Sequence, residues 1–206
     1  MDIYHGIIWI VLGYLSGSIL YARLAERIFH KDIVTESKDQ NPGAANAFMK
    51  GGFWCGLATL LGDLGKGFLP IWCYLMTVRQ GEPQALMLAF VMAAPVIGHI
   101  FPIFFAFKGG KGIATSFGCL MGLAPDMKPV LILAFVFLFL SLVFRIKPHF
   151  YRTIAAYFLT AVIMCLAEVP AGVCIGFLFM CLAVIVRMHF STEIREKIKV
   201  EVLWKH

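Results

Sequence analysis

Long apolar stretches dominate the chain, and the charged residues gather in short segments between them. A helix that crosses a bilayer needs about 20 mostly apolar residues. Seven stretches approach that length: Ile3–Leu24, Phe53–Met76, Ala85–Phe105, Lys111–Leu123, Pro129–Phe144, Tyr151–Leu166 and Ala171–Val186. They are continuous rather than alternating, which predicts helices and argues against strands of a membrane barrel. The fourth is short and opens on glycines, as a broken or re-entrant segment does. The pattern predicts an all-α, polytopic integral membrane protein with about seven transmembrane helices. Its loops leave no room for a separate soluble domain, so residues 1–206 read as one membrane-embedded unit. From Phe190 to His206, Glu and Lys alternate with Ile, Val, Leu and Trp, and we read this tail as an amphipathic helix lying along the interface.

Composition agrees. The chain is 60% hydrophobic and 15% charged, against about 45–50% and about 25% in soluble domains. An ordinary soluble protein and a disordered chain are both excluded. Charge then orients the helices. With the N-terminus outside and seven spans, fifteen of the 18 Lys and Arg fall in cytoplasmic segments, which places the C-terminus in the cytoplasm. The net charge of +6 thus reflects topology and contact with anionic lipid, not nucleic acid. The six cysteines sit in apolar runs without metal-ligand spacing and predict neither a disulfide framework nor a metal site. The N-terminus lacks the basic region and small-residue cleavage site of a signal peptide, so its first run reads as a retained helix.

Polar residues in or beside membrane spans are costly and mark candidate sites. Four clusters stand out. The string Gly98 to Thr115 places Lys108, Gly109, Gly110, Lys111 and Gly112 between two spans. Glycines admit sharp turns and close approach to an anion, and a helix N-terminus follows, so the string reads as a phosphate cradle. It lacks the first glycine and the Ser/Thr of a nucleotide-binding P-loop, and a bare Gly-Gly-Lys-Gly also suits a plain cytoplasmic turn. The second cluster, Asn41 to Asn46, is turn chemistry whose two amides can orient a hydroxylated or phosphorylated ligand. In the third, Asp63 and Lys66 share a helix face inside a span, as a structural pair or as part of a polar cavity. The fourth, Arg187-Met188-His189, ends the last span, where His189 is either an interfacial residue or a proton-transfer group.

Taken together and in this order, the four strings resemble the bacterial acyl-phosphate-dependent glycerol-3-phosphate acyltransferases, the PlsY family, over nearly the whole chain. The central string carries Gly98, His99, Phe101, Pro102, Phe107, Lys108, Gly109, Gly110, Lys111, Gly112, Ala114 and Thr115. The first motif carries Gly17, Ser18, Asp32, Asn41, Gly43, Ala44 and Asn46; Asp63, Lys66, Gly67, His189 and Glu201 also match. The resemblance implies a seven-span enzyme of phospholipid biosynthesis. Such an enzyme transfers a fatty acyl group from acyl-phosphate to glycerol 3-phosphate, needing neither metal nor cofactor. It implies His189, Lys111, Asp39 and His99 as catalytic residues. Ser18, Asn41, Asn46, Lys50, Lys108, Gly109, Gly110, Gly112, Thr115 and Thr192 would bind substrate, while Asp63, Lys66 and Glu201 would be structural.

The chain departs from the family pattern at four places. Asp39 stands at the family's Ser, Met49 (followed by Lys50) and Val34 at Arg positions, and Thr192 at an Asn. An added carboxylate and a lost cation disfavour an anionic acceptor; one unit pair at 4 Å is worth about 1 kcal/mol in water and about 4 at an effective dielectric of 20. Glycerol 3-phosphate is the default acceptor. The alternatives are a different sugar or lipid hydroxyl, with Asp39 as a base, and a non-catalytic membrane partner that kept the fold. A transporter would spread polar residues through several spans, whereas here they collect on one side.

Overall fold

The computed structural model describes residues 3–37, 39–78, 84–191 and 197–203. Every apolar stretch is helical. The elements are α1 (Ile3–Gly17), α2 (Tyr21–Phe29), α3 (Ala44–Asn46, running into a π turn over Ala47–Gly51), α4 (Phe53–Thr77), α5 (Ala85–Ile100), α6 (Ile113–Met121), α7 (Lys128–Leu138), β1 (Phe144–Lys147), α8 (His149–Leu166), α9 (Ala171–His189) and β2 (Lys199–Val202). Among the described residues, four helical stretches are long and apolar enough to cross a membrane: Ile3–Phe29, Ala85–Phe105, His149–Leu166 and Ala171–His189. Of the remaining three, α4 has the length but carries the buried Asp63 and Lys66. The nine residues of α6 are short for a span, as the sequence suggested, and the stretch over Lys128–Val143 is intermediate.

Packing centres on α5, which is buried on most of its surface and contacts α1, α4, α6 and α9. Small residues set the spacing, as expected where lipid removes most of the hydrophobic drive between helices. The glycines Gly6, Gly13 and Gly17 are the buried positions of α1. A Cβ at Gly17 would strike the Pro95 carbonyl of α5, and one at Gly98 of α5 would strike the Tyr14 carbonyl of α1. On the other side, Gly172 and Gly176 of α9 lie against Ala85 and Ala89. Gly67 of α4 faces the Thr115 carbonyl and Gly118 of α6 faces the Leu64 carbonyl, bringing those backbones into direct contact.

The tail departs from expectation. Its described part is not an amphipathic helix but strand β2, antiparallel to β1, with Arg145 opposite Glu201 and Lys147 opposite Lys199. Glu201 pairs with Lys147 at 2.8 Å, tying the tail to the α7–α8 connection. The physical reason is the period. Lys199-Val200-Glu201-Val202 alternates strictly, and β-branched residues at period two favour a strand.

The glycine contacts predict opposite outcomes at two positions. Gly118→Val forces a side chain into the α4 backbone, and overpacking of about 1–3 kcal/mol should lower the melting temperature in detergent by roughly 2–12 °C. Gly65→Ala meets no atom within 4 Å and should leave stability unchanged or raise it by about 0.5–1 kcal/mol. Paired melting curves check both.

Candidate active site

The segment after α5 turns back on itself through Ala106 and Phe107, both with positive φ (50° and 60°), a conformation that costs non-glycine residues about 1 kcal/mol or more. The turn returns the chain to the end of α5. There the Gly109 N–H donates to the Ile100 carbonyl (3.2 Å) and the Gly110 N–H to the His99 carbonyl (3.1 Å). These bonds satisfy helix-end carbonyls that have no partner within the helix. From α9, Arg187 Nε donates to the Gly110 carbonyl at 3.2 Å and Nη2 to the Gly109 carbonyl at 3.0 Å. This revises the cradle predicted from sequence, because the Gly109 and Gly110 amides are spent on α5. The anion-binding groups left in this region are the first-turn amides of α6 and the cationic side chains. Gly112, with φ 82°, makes the left-handed step that starts that helix.

Lys111 Nζ pairs with Asp39 Oδ2 at 2.9 Å. Asn46 Nδ2 donates to Asp39 Oδ1 (2.8 Å) and to the Asn41 carbonyl (2.9 Å), and the Asn41 N–H reaches Asp39 Oδ1 at 3.4 Å. The second cluster therefore wraps the Asp39 carboxylate and presents it to the cradle lysine. Burial raises the Asp39 pKa, but the Lys111 and Asn46 hydrogen bonds and the Lys111 charge outweigh it and hold the carboxyl below the usual carboxylate range. An acid so stabilised is a poor general base, contrary to the role the sequence suggested. Asn41 Oδ1 is buried without a hydrogen bond among the described residues.

Arg23, Asp39, Gln40, Lys108, Arg187 and Phe190 help line a cavity of about 350 Å³. A neighbouring space of about 310 Å³ lies among Arg23, Glu26, Arg27, Phe105 and Lys108. A third, of about 620 Å³ and almost wholly apolar, runs between α1, α5 and α9, lined by residues such as Ile10, Phe90, Ile97 and Phe179. Phe101 lines both this groove and the cationic cavity, so the two meet there.

Other predicted residues fall elsewhere. The Ser18 hydroxyl is buried, donating to the Tyr14 carbonyl (2.9 Å) and accepting from the Ile103 N–H (3.4 Å), so it braces the fold. Thr115 is buried at the α4 contact. Lys50 is exposed on the π turn, and His189 is exposed at the end of α9 with its ring edge-on to Phe190. Thr192 lies outside the described residues. His99 is buried rather than open, and sits with Asp63 and Lys66 behind Gly110. Sequence reasoning gave Arg187 no part in holding the turn and missed Arg23. It also missed His149, which feels the charges of Lys111, Arg152 and Asp39.

A family model described as glycerol-3-phosphate acyltransferase matches residues 7–199. The chain belongs to this family. Curated relatives of that name include proteins from Albidiferax ferrireducens and Pasteurella multocida. The first is 38% identical over 141 residues, covering 64% of this chain and 61% of the relative. The second is 44% identical over 115 residues, covering 55% of each. A Pseudomonas paraeruginosa relative is 40% identical over 62% of this chain and 65% of its own. The matched segments thus span less than two thirds of these relatives. Solved structures of PlsY (YgiH), an integral membrane glycerol 3-phosphate acyltransferase, superpose over most of both chains. The glycerol 3-phosphate form gives a TM-score of 0.75 at 25% identity, covering 89% of this chain and 88% of that one. The lysophosphatidic acid form gives 0.71 at 26%, covering 88% and 87%. The protein is a multi-pass, mostly helical membrane protein of this family.

The Asp39–Lys111 pair has a pH signature. Because the folded-state pKa of Asp39 is depressed, its stabilising contribution is full above the usual carboxylate range and is lost as pH falls through the lowered value. Melting temperatures between about pH 7 and about pH 3 should therefore fall more steeply on acidification for wild type than for Asp39→Asn.

Proposed function

We propose that the protein is an inner-membrane acyltransferase that moves a fatty acyl group from acyl-phosphate to a hydroxyl of glycerol 3-phosphate, forming lysophosphatidic acid and inorganic phosphate. The observation that carries this reading is the meeting, at Phe101, of an apolar groove and a cavity lined by cations. An acyl-phosphate has that same division, with a hydrocarbon tail on one side of the reacting carbon and a charged phosphate on the other. The acceptor oxygen attacks the acyl carbon, the carbon–oxygen bond to phosphate breaks, and the hydroxyl proton leaves with the departing phosphate or passes to a nearby group such as His189. The donor is already an activated anhydride, so the protein's task is to orient it and stabilise the leaving charge. Lys111, Lys108 and the α6 N-terminus supply that stabilisation, and Arg187 keeps the turn that carries the lysines rigid.

One observation favours a second reading, a neutral hydroxyl acceptor. The Asp39 carboxylate cancels the Lys111 charge at 2.9 Å and makes the site less attractive to a second phosphate. Arg23, Lys108 and Arg187 line the same cavity and support glycerol 3-phosphate as the default. We further infer seven crossings, with the N-terminus outside and the catalytic face cytoplasmic, from the charge asymmetry.

Three measurements test these readings. Purified Lys111→Ala should lose acyl transfer by about 10²–10³ in kcat while folding normally; wild-type turnover would remove the lysine from the mechanism. Asp39→Ser should raise kcat/KM for glycerol 3-phosphate with little change toward acyl-phosphate, and no increase would show that Asp39 does not limit the acceptor. In a chain whose native cysteines are replaced, Glu168→Cys should label from outside intact cells and Lys197→Cys should not. The reverse pattern would invert the topology.

A further inference from the structure

Asp63, Lys66 and His99 form a buried charged cluster to which the transfer step as described above assigns no part. All three are nearly inaccessible, at 1%, 2% and 3% exposure. Lys66 Nζ donates to the Ile19 carbonyl at 2.7 Å and stands 2.6 Å from His99 Nδ1. It also lies 2.8 Å from Asp63 Oδ1, as an ion pair rather than an aligned hydrogen bond. One ammonium thus joins the α1–α2 junction, α4 and α5. Burying charge in this way is expensive unless partners surround it, and a structural tie between three helices is available more simply from apolar packing. The cluster's direction suggests what the charge is for.

Lys66 as an ammonium has only hydrogens to offer, so a neutral His99 that accepts from it at Nδ1 carries its proton on Nε2; the competing partner is Asp63 Oδ1, 3.6 Å from Nδ1, which would favour the opposite tautomer. The Nε2 edge faces the turn. A Cβ built on Gly110 would meet His99 Nε2 first, and then Cε1 and Cδ2 at 3.0 and 3.1 Å. Gly110 therefore leaves the space into which the N–H edge of His99 points, one residue before Lys111. The backbone carbonyl of the same histidine accepts the Gly110 N–H, so the turn is tied to the residue that carries the ring.

We propose that Asp63 and Lys66 are positioning residues that hold His99 in its Nε2–H tautomer, so that the ring presents a hydrogen-bond donor at the Gly110 turn to the phosphate bound there. Asp63 keeps Lys66 charged, Lys66 keeps Nδ1 an acceptor, and His99 supplies a donor where the Gly109 and Gly110 amides cannot. The assignment of the ligand as a phosphate rests on the acyltransferase reading; the tautomer does not.

The test is ¹⁵N NMR of histidine-labelled protein in nanodiscs, with His99→Gln to assign the signal. Wild type should show His99 as the Nε2–H tautomer, and added inorganic phosphate should shift its Nε2 resonance. Lys66→Met removes the Nδ1 partner and should yield a tautomer mixture. Asp63→Asn leaves Lys66 uncharged and able to accept, and should move the proton toward Nδ1; it carries the test if Lys66→Met fails to fold. Acyl-transfer kcat should fall about 10–100-fold in each, with KM for acyl-phosphate within about threefold, and Lys66→Arg should restore part of both signals. Finding His99 as Nδ1–H in wild type, or unchanged in folded variants, would overturn the proposal. So would a wild-type Nε2 resonance that does not respond to phosphate. A protein that shows the tautomer and phosphate shifts but transfers no acyl group would instead refute the acyltransferase reading and leave the positioning role standing.

Discussion

Arg187 holds the carbonyls of Gly109 and Gly110 while the last carbonyls of α5 hold their N–H groups. Two residues are thereby fixed from both sides, by helices whose own separation is set by glycine and alanine contacts. The position of Lys111 follows from that double clamp, because the chain leaves Gly110 in one direction only and enters α6 through the left-handed step at Gly112. Asp39, Asn41 and Asn46 then build outward from the lysine. Loss of the clamp would free a turn that already contains two strained residues, Ala106 and Phe107.

The apolar runs were legible as helices because a backbone surrounded by hydrocarbon must satisfy its own polar groups, and a continuous apolar run of that length does so as a helix. Spacing revealed that Asp63 and Lys66 can pair, since three residues along a helix fix a shared face. It did not reveal His99 as their partner, 33 residues further on, because only the packing of α4 on α5 brings the two together. The cradle was illegible for a different reason. Adjacent glycine amides invite the inference of an anion nest, but a helix end lies just upstream, and its unsatisfied carbonyls compete for those donors at short range. In the tail, the strict alternation over Lys199–Val202 is a strand signal, and over so few residues it outweighs the amphipathic pattern of the longer segment.

The buried cluster and the Asp39–Lys111 pair make different uses of charge. At Asp39 the carboxylate is partly buried, and hydrogen bonds from Lys111 and Asn46, together with the Lys111 charge, keep it ionised. In the Asp63–Lys66–His99 cluster the charges are sealed in, and what reaches the turn is an orientation rather than a net field.

The apolar groove between α1, α5 and α9 includes residues such as Phe90 and Leu182, which the fold leaves substantially uncovered. A hydrocarbon chain entering there comes sideways out of the bilayer instead of up from the aqueous phase. Its occupancy then follows its mole fraction among the surrounding lipids, and dilution with inert lipid acts as competition even when the bulk concentration is constant. Under the proposed function, a lysolipid formed at the junction near Phe101 would likewise be released into the leaflet beside the protein, where local two-dimensional diffusion sets how soon the groove is filled again.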